Sequence, residues 1–193
     1  MSPPLKVKKP HGTRKHVTLE EYKKIRAAAA ELGRHRLRDS TMIAMAFVHG
    51  LRSTEVVHLL WDQVNLFECT LHVIRAKKGS DSTHPLSDDE LKALRRLAKS
   101  QKGGQKGFVF QSERGGVGMT TSMFKKMVAR AGEKAGMPMR IGTHMLRHGC
   151  GFYFANKGKD TRSLQGYLGH RNIQNTVIYT ELRVDRFKEF KVE

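Results

Sequence analysis

Cysteine is almost missing: only Cys69 and Cys150 occur in 193 residues, and neither stands in a Cys-x-x-Cys pair. That excludes a disulfide framework and a zinc-ribbon spacing, and it fits a reducing cytoplasm. No apolar run approaches membrane-spanning length, and no charged-apolar-small leader opens the chain, so a soluble intracellular protein without a membrane partner is expected. Acidic residues are scarce as well. Against 36 Lys and Arg there are only 18 Asp and Glu, a formal net charge of +18. The excess runs along the whole length, which points to an anionic polymer, double-stranded nucleic acid above all, and to binding that weakens steeply with salt.

What is present fits one principal domain. Residues 1–16 are rich in proline, Lys and Arg and hold almost no large apolar side chain, so they read as a disordered basic arm, either touching DNA phosphates or simply solubilising. Residues 17–193 form the domain itself. Thr18 with Glu21 makes a capping box ahead of the stripe Leu19, Tyr22, Ile25, Ala29 and Leu32, and Gly33 ends that helix. Leu37 to His49 is apolar nearly all round, which predicts a central buried helix. Gly50 breaks it and leaves Arg52 at the entrance of a short helix, with Ser53 as its cap.

The period then changes. Thr70 to Arg75 alternates, Lys77 to Asp81 is a turn, and Ser82 to Leu86 returns, so with Val64 to Phe67 a small antiparallel sheet is expected, Pro85 marking an edge or a strand end. Ser87 and Glu90 cap a further helix, and another runs from Thr121 to about Gly136. Phe108 to Phe110 is too short to classify. Short helices follow over 143–156, 160–168 with Asp160 as cap, and 172–179 with Asn172 as cap, and a last piece covers Val184 to Phe190.

The chemistry is concentrated in the last third. Breaking a phosphodiester without metal or water needs a nucleophile, cations on the non-bridging oxygens and a proton donor for the leaving oxygen. His144 and Arg147 share a helical face and can converge on one phosphate, with Arg52 as a second fork. A lone Arg in so basic a chain is otherwise a solvated charge. His144 and His148 also have the spacing of a metal pair, but no Glu lies between them, and each His could be a satisfied core residue. Tyr179, like Tyr22, Tyr153 and Tyr167, could be an ordinary core tyrosine. As a nucleophile it would need its proton removed or its phenolate stabilised by cations.

Taken in order, Gly50-Leu-Arg52-Ser-Thr-Glu55, Lys77-Lys78-Gly79, His144-Met-Leu-Arg147-His148, Leu168-Gly-His170 and Tyr179, nine positions after His170, resemble the tyrosine recombinases, or phage-type integrases. The likeness covers about Thr18 to Phe187. The short length and the Lys78-Gly79 to His84-Pro85-Leu86 hairpin look most like the recombinases that invert fimbrial promoter segments.

The resemblance implies the family's α+β, mainly helical catalytic-domain fold with a small antiparallel sheet, and a site-specific recombinase that needs neither metal nor other cofactor. Tyr179 would attack the scissile phosphate to form a 3′-phosphotyrosyl link, and Arg52 and Arg147 would hold the non-bridging oxygens. His144 and His170 would assist by hydrogen bonding and proton transfer. Lys78, with Lys77 as its neighbour and rival, would protonate the leaving 5′-oxygen, and Glu55 would support the site. Lys77, Arg171 and His148 are expected on DNA. Inversion or integration and excision would run in a homotetramer on two DNA sites, with accessory DNA-bending proteins as further partners, in the nucleoid-associated cytoplasm. The N-terminal helical domain that completes the family's DNA clamp has no counterpart in this sequence, and the basic arm would partly replace it. A type IB-like topoisomerase and a catalytically silent DNA-binding regulator are the competing readings.

Overall fold

The capping box at Thr18 forms as the sequence predicts. The Thr18 hydroxyl accepts the Glu21 N–H at 3.2 Å, and the Glu21 carboxylate accepts the Thr18 N–H at 2.8 Å. Helix α1 (Leu19–Glu31) starts there in the computed structural model, which describes residues 14–76, 79–102, 104–113 and 116–181. Most of the basic arm and the expected Val184 to Phe190 piece lie outside the described residues. Ahead of α1, Arg14 pairs with Glu21, and the buried Val17 donates its N–H to the Met145 carbonyl at 3.2 Å.

Helix α2 (Arg36–Val48) is buried from Thr41 to Phe47, matching its continuous apolar run. It is the axis of the fold. Helices α1, α4 (Asp88–Ser100) and α6 (Thr143–Asn156) pack on it, while α5 (Thr121–Lys134) packs on α1. Gly50 ends the run in a left-handed conformation (φ +58°). A Cβ there would stand 2.5 Å from the Leu168 side chain, so both the turn and the close approach require glycine.

Helix α3 (Ser53–Val57) corrects one expectation: Ser53 is its first residue and Arg52 occupies the cap. The Glu55 carboxylate accepts the Arg52 N–H at 2.8 Å, the half of a capping box that reaches back to the cap residue's own backbone. Glu90 behaves similarly ahead of α4, accepting from the Ser87 N–H at 3.0 Å.

The sheet is three-stranded and antiparallel, β1 (Val64–Asn65), β2 (Thr70–Val73) and β3 (Ser82–Pro85) in that order, with Leu71 opposite His84. Pro85 closes an edge strand, where its missing N–H costs no ladder bond. All three strands are shorter than expected, β3 only by Leu86. Asn65 Oδ1 takes the N–H groups of Phe67 and Glu68, which turns the chain and leaves Phe67 exposed. The Arg75 N–H donates to Asp81 Oδ1 at 2.7 Å instead of continuing the β2 ladder. Phe108 to Phe110 is no strand of its own: Phe108 bridges to Leu60, while Val109 and Phe110 are core residues.

Apolar packing divides in two. The main cluster gathers α1 to α5, the sheet and Leu146 of α6. A smaller one holds Cys150, Ala155, Leu164, Leu168 and Tyr179, from α6, α7 (Thr161–Leu168) and α8 (Gln174–Glu181). Asp160 caps α7 through the Arg162 and Ser163 N–H groups, as expected, whereas α8 starts at Gln174 and not at Asn172, whose side chain accepts the Gln174 N–H at 2.9 Å ahead of the helix.

Candidate active site

Three guanidinium groups meet one carboxylate at the seam between the two clusters. Glu55 is brought there by the first turn of α3, where Oε1 accepts from Arg52 Nη1 at 2.6 Å and from the Ala76 N–H at 3.0 Å. Its Oε2 accepts from Arg75 Nη1 at 3.0 Å and lies 3.9 Å from Arg147 Nη1. Arg147 comes from the first half of α6 and is buried. It donates to the Gly50 carbonyl, exposed by the glycine turn, and to the Leu168 carbonyl at the end of α7, at 2.7 Å for the latter. One guanidinium thus ties the main cluster to the small one.

The histidines and Tyr179 close the other side. On α6, His144, Arg147, His148 and Gly151 follow the i, i+3, i+4, i+7 spacing of one face. His144 is exposed, while His148 is half-buried and its Nδ1 lies 2.9 Å from the Tyr179 hydroxyl. Tyr179 is 1% exposed, with Phe152 edge-on to its ring and Gly151 beneath it, where a Cβ would fall 2.7 Å from the ring. His170 is buried after the left-handed Gly169 that ends α7, its Nδ1 2.9 Å from the Thr176 hydroxyl and its ring nearly parallel to that of Tyr179 at 6.3 Å.

The field is strongly positive, since Arg52, Arg75 and Arg147 outnumber Glu55 by two charges. Burial pushes the Glu55 carboxyl up, but the Arg52 N–H and the charge of Arg75 outweigh it and hold the group below the ordinary carboxylate range. Burial and then the Arg52 and Arg75 charges lower Arg147 to about 10, so it stays cationic at neutral pH. Burial and then the charges of Arg147, Arg52 and Arg75 lower His170 to about 4, leaving a neutral imidazole. Tyr179 is pushed up to about 12 by burial, although Arg147 and Arg52 pull against that rise. Such a surround fits a phosphodiester, whose negative charge grows as a nucleophile adds to phosphorus.

The structure therefore gathers Arg52, Glu55, Arg147, His148, His170 and Tyr179, with His144 at the exposed rim. Lys77 and Lys78 lie outside the described residues. Arg171 is exposed beside His170, where its carbonyl accepts from Gln165. Among the described residues no three His, Cys, Asp or Glu side chains are grouped so as to hold a metal ion.

Arg75 is the residue that sequence reasoning missed. It is buried, bonds Glu55 and donates to the carbonyls of Gly50, His49 and Tyr167. Its signal was the alternation itself, which puts Arg75 on the inward face with Leu71 and Val73. A second buried polar group also went unread. His49 Nδ1 lies 3.1 Å from His84 Nδ1, and His49 Nε2 approaches Glu90 Oε1 to 2.9 Å without hydrogen-bond alignment.

This arrangement has relatives. The profile described as the phage integrase family matches residues 15–186. The chain is 38% identical over 162 residues to the type 1 fimbriae regulatory protein FimB of Escherichia coli (strain K12), covering 82% of this chain and 80% of that one. It is 32% identical to tyrosine recombinase XerD of Ralstonia nicotianae, covering 79% of this chain and 51% of the relative. Among solved structures, the XerA recombinase superposes with a TM-score of 0.80 at 25% identity, covering 95% of this chain and 67% of that one. The XerH recombinase in a pre-cleavage complex with difH gives 0.73 at 22%, covering 92% and 53%.

The chain belongs to the phage integrase family. It is a site-specific recombinase of the tyrosine class, with the mainly helical α+β catalytic fold that the sequence motifs imply.

Proposed function

We propose that this recombinase cuts and rejoins double-stranded DNA through a 3′-phosphotyrosyl link on Tyr179. The observation that carries the reading is the placing of the Tyr179 hydroxyl beside two arginines and two histidines, in a field that already lacks two negative charges. A phosphodiester entering the seam completes that balance as it becomes a pentacoordinate phosphorane. Arg52 and Arg147 hold the non-bridging oxygens, His144 and His170 hydrogen-bond to them, and Glu55 keeps Arg52 in place. Tyr179 attacks phosphorus, the bond to the 5′-oxygen breaks, and Lys78 gives that oxygen a proton. Because the phosphotyrosine keeps the energy of the bond it replaced, rejoining needs no nucleotide.

Two further elements of the reading draw on the relatives. Solved neighbours include XerH bound to its difH substrate and a lambda integrase dimer bound to a core site, which supports DNA as the partner and assembly of more than one protomer; four protomers across two sites complete the reading. The likeness to the fimbriae regulatory proteins favours inversion of a DNA segment as the net reaction.

The test uses a pool of nicked suicide duplexes with randomised arms. The native protein should form an adduct that survives denaturation, and Tyr179→Phe should form none. Failure of the native protein, or an equal yield from the variant, would sink the reading.

A further inference from the structure

A phenol held at about 12 by burial does not ionise at neutral pH, so its attack needs a proton acceptor within hydrogen-bond reach. The hydroxyl has one. His148 Nδ1 stands 2.9 Å away, whereas His170 commits its own Nδ1 to the Thr176 hydroxyl at 2.9 Å and His144 stands at the exposed rim.

We propose that His148, on the recombinase reading of the site, is the base that takes the Tyr179 proton during cleavage and returns it during rejoining. As the Tyr179 oxygen bonds to phosphorus, its proton moves to His148 Nδ1 and the bond from phosphorus to the 5′-oxygen breaks. That oxygen leaves with a proton from the general acid. In rejoining, the 5′-hydroxyl attacks the phosphotyrosine and returns its proton to the general acid, the bond from phosphorus to the Tyr179 oxygen breaks, and His148 gives its proton back to the departing phenol oxygen.

Three features prepare His148 for the role. It shares one face of α6 with His144 and Arg147, the residues proposed to contact the phosphate. Gly151, one turn on, lets the Tyr179 ring lie against the helix and fixes the hydroxyl beside the imidazole. The imidazole is also neutral at physiological pH. Burial lowers it first, and His144 and Arg147 of its own helix and Lys15 and His16 ahead of α1 lower it further, with Tyr179 and His170 facing it from the far side. A neutral ring whose Nδ1 accepts from Tyr179 carries its hydrogen on Nε2.

Two measurements on the full chain test the assignment. In the free protein labelled with 15N-histidine, the His148 resonances should report the Nε2–H tautomer, and Tyr179→Phe should raise the His148 pKa by removing a donor that favours the neutral ring. A His148 ring protonated at Nδ1 would overturn the proposal whether or not any DNA is cut. On the randomised suicide duplexes, His148→Ala should slow single-turnover adduct formation about 10²–10⁴-fold, the usual span of a general base. Added imidazole should restore part of the loss. His148→Gln, which can accept a hydrogen bond but not a proton, should stay as slow as His148→Ala. Full activity in His148→Gln would reduce His148 to a positioning residue, and full activity in His148→Ala would remove it from the reaction. Absence of an adduct from the native protein would count against the recombinase reading itself, and so against the base that rests on it.

Discussion

The two apolar clusters of this protein differ in size and in what they hold. The main one spans five helices and the sheet, and it fixes Arg52, Glu55 and Arg75 through short, well-buried connections. The smaller one joins α6, α7 and α8 around Tyr179 with few apolar partners. Tyr179, the proposed nucleophile, therefore stands in the cluster with the fewer buried apolar side chains, and Arg52, one of the two arginines proposed to hold the phosphate, stands in the cluster with the more. Arg147 spans the divide, donating to Gly50 on one side and Leu168 on the other.

The comparison is broken most severely at Glu55. Glu55→Gln leaves three neighbouring guanidinium groups without their carboxylate and should cost about 3–5 kcal/mol, read by urea denaturation. Its pH dependence follows from the lowered carboxyl. The stability it contributes is present above the ordinary value of 4.5 and is lost as pH falls through the folded-state value. The acid limb of stability should therefore flatten in the variant, and an unchanged limb would show that Glu55 is not the group titrating. His170 adds a higher window. Its folded value near 4 against 6.5 means that stability declines as pH falls from 6.5 toward 4, because only the unfolded chain binds that proton.

A matched pair of leucines sharpens the contrast. Leu94→Ala in the main cluster and Leu164→Ala in the small one should each cost about 2–5 kcal/mol locally. Leu94→Ala should lower amide protection throughout α1 to α5, and Leu164→Ala mainly in α7 and α8. Equal loss everywhere in both variants would mean that the two clusters unfold as one.

Gly151→Ala should cost about 1–3 kcal/mol, because the added methyl would fall 2.7 Å from the Tyr179 ring and force it outward. The Tyr179 pKa should then drop from about 12 as the ring meets water, measurable by NMR with labelled tyrosine. The smallest change in stability belongs to Tyr179→Phe. One hydrogen bond to His148 is lost there, about 1 kcal/mol, so the variant should melt close to the native protein while forming no adduct.

Much of this was legible in the sequence because local rules and motif order agree. The Thr18 and Asp160 caps, the buried run of α2, the Gly50 break and the two-stranded return through Ser82 to Pro85 each follow from a short stretch of chain. The same holds for the ordered set from Arg52 to Tyr179. Ser53 misled because a hydroxyl at a helix start is the commoner cap; here it falls one residue inside the helix, and Glu55 reaches back to the Arg52 N–H instead. The length of β2 misled because Asp81, across the turn, took the Arg75 N–H.

By itself the sequence determined the helical order, the family and a set of candidate site residues, since each rests on residue type and spacing along one chain. Only the tertiary structure decided which groups touch. Arg75, silent as a motif, became the third cation on Glu55, and His148, expected on DNA, came to lie on the Tyr179 hydroxyl. Such contacts depend on where distant elements cross, and no local pattern carries that distance.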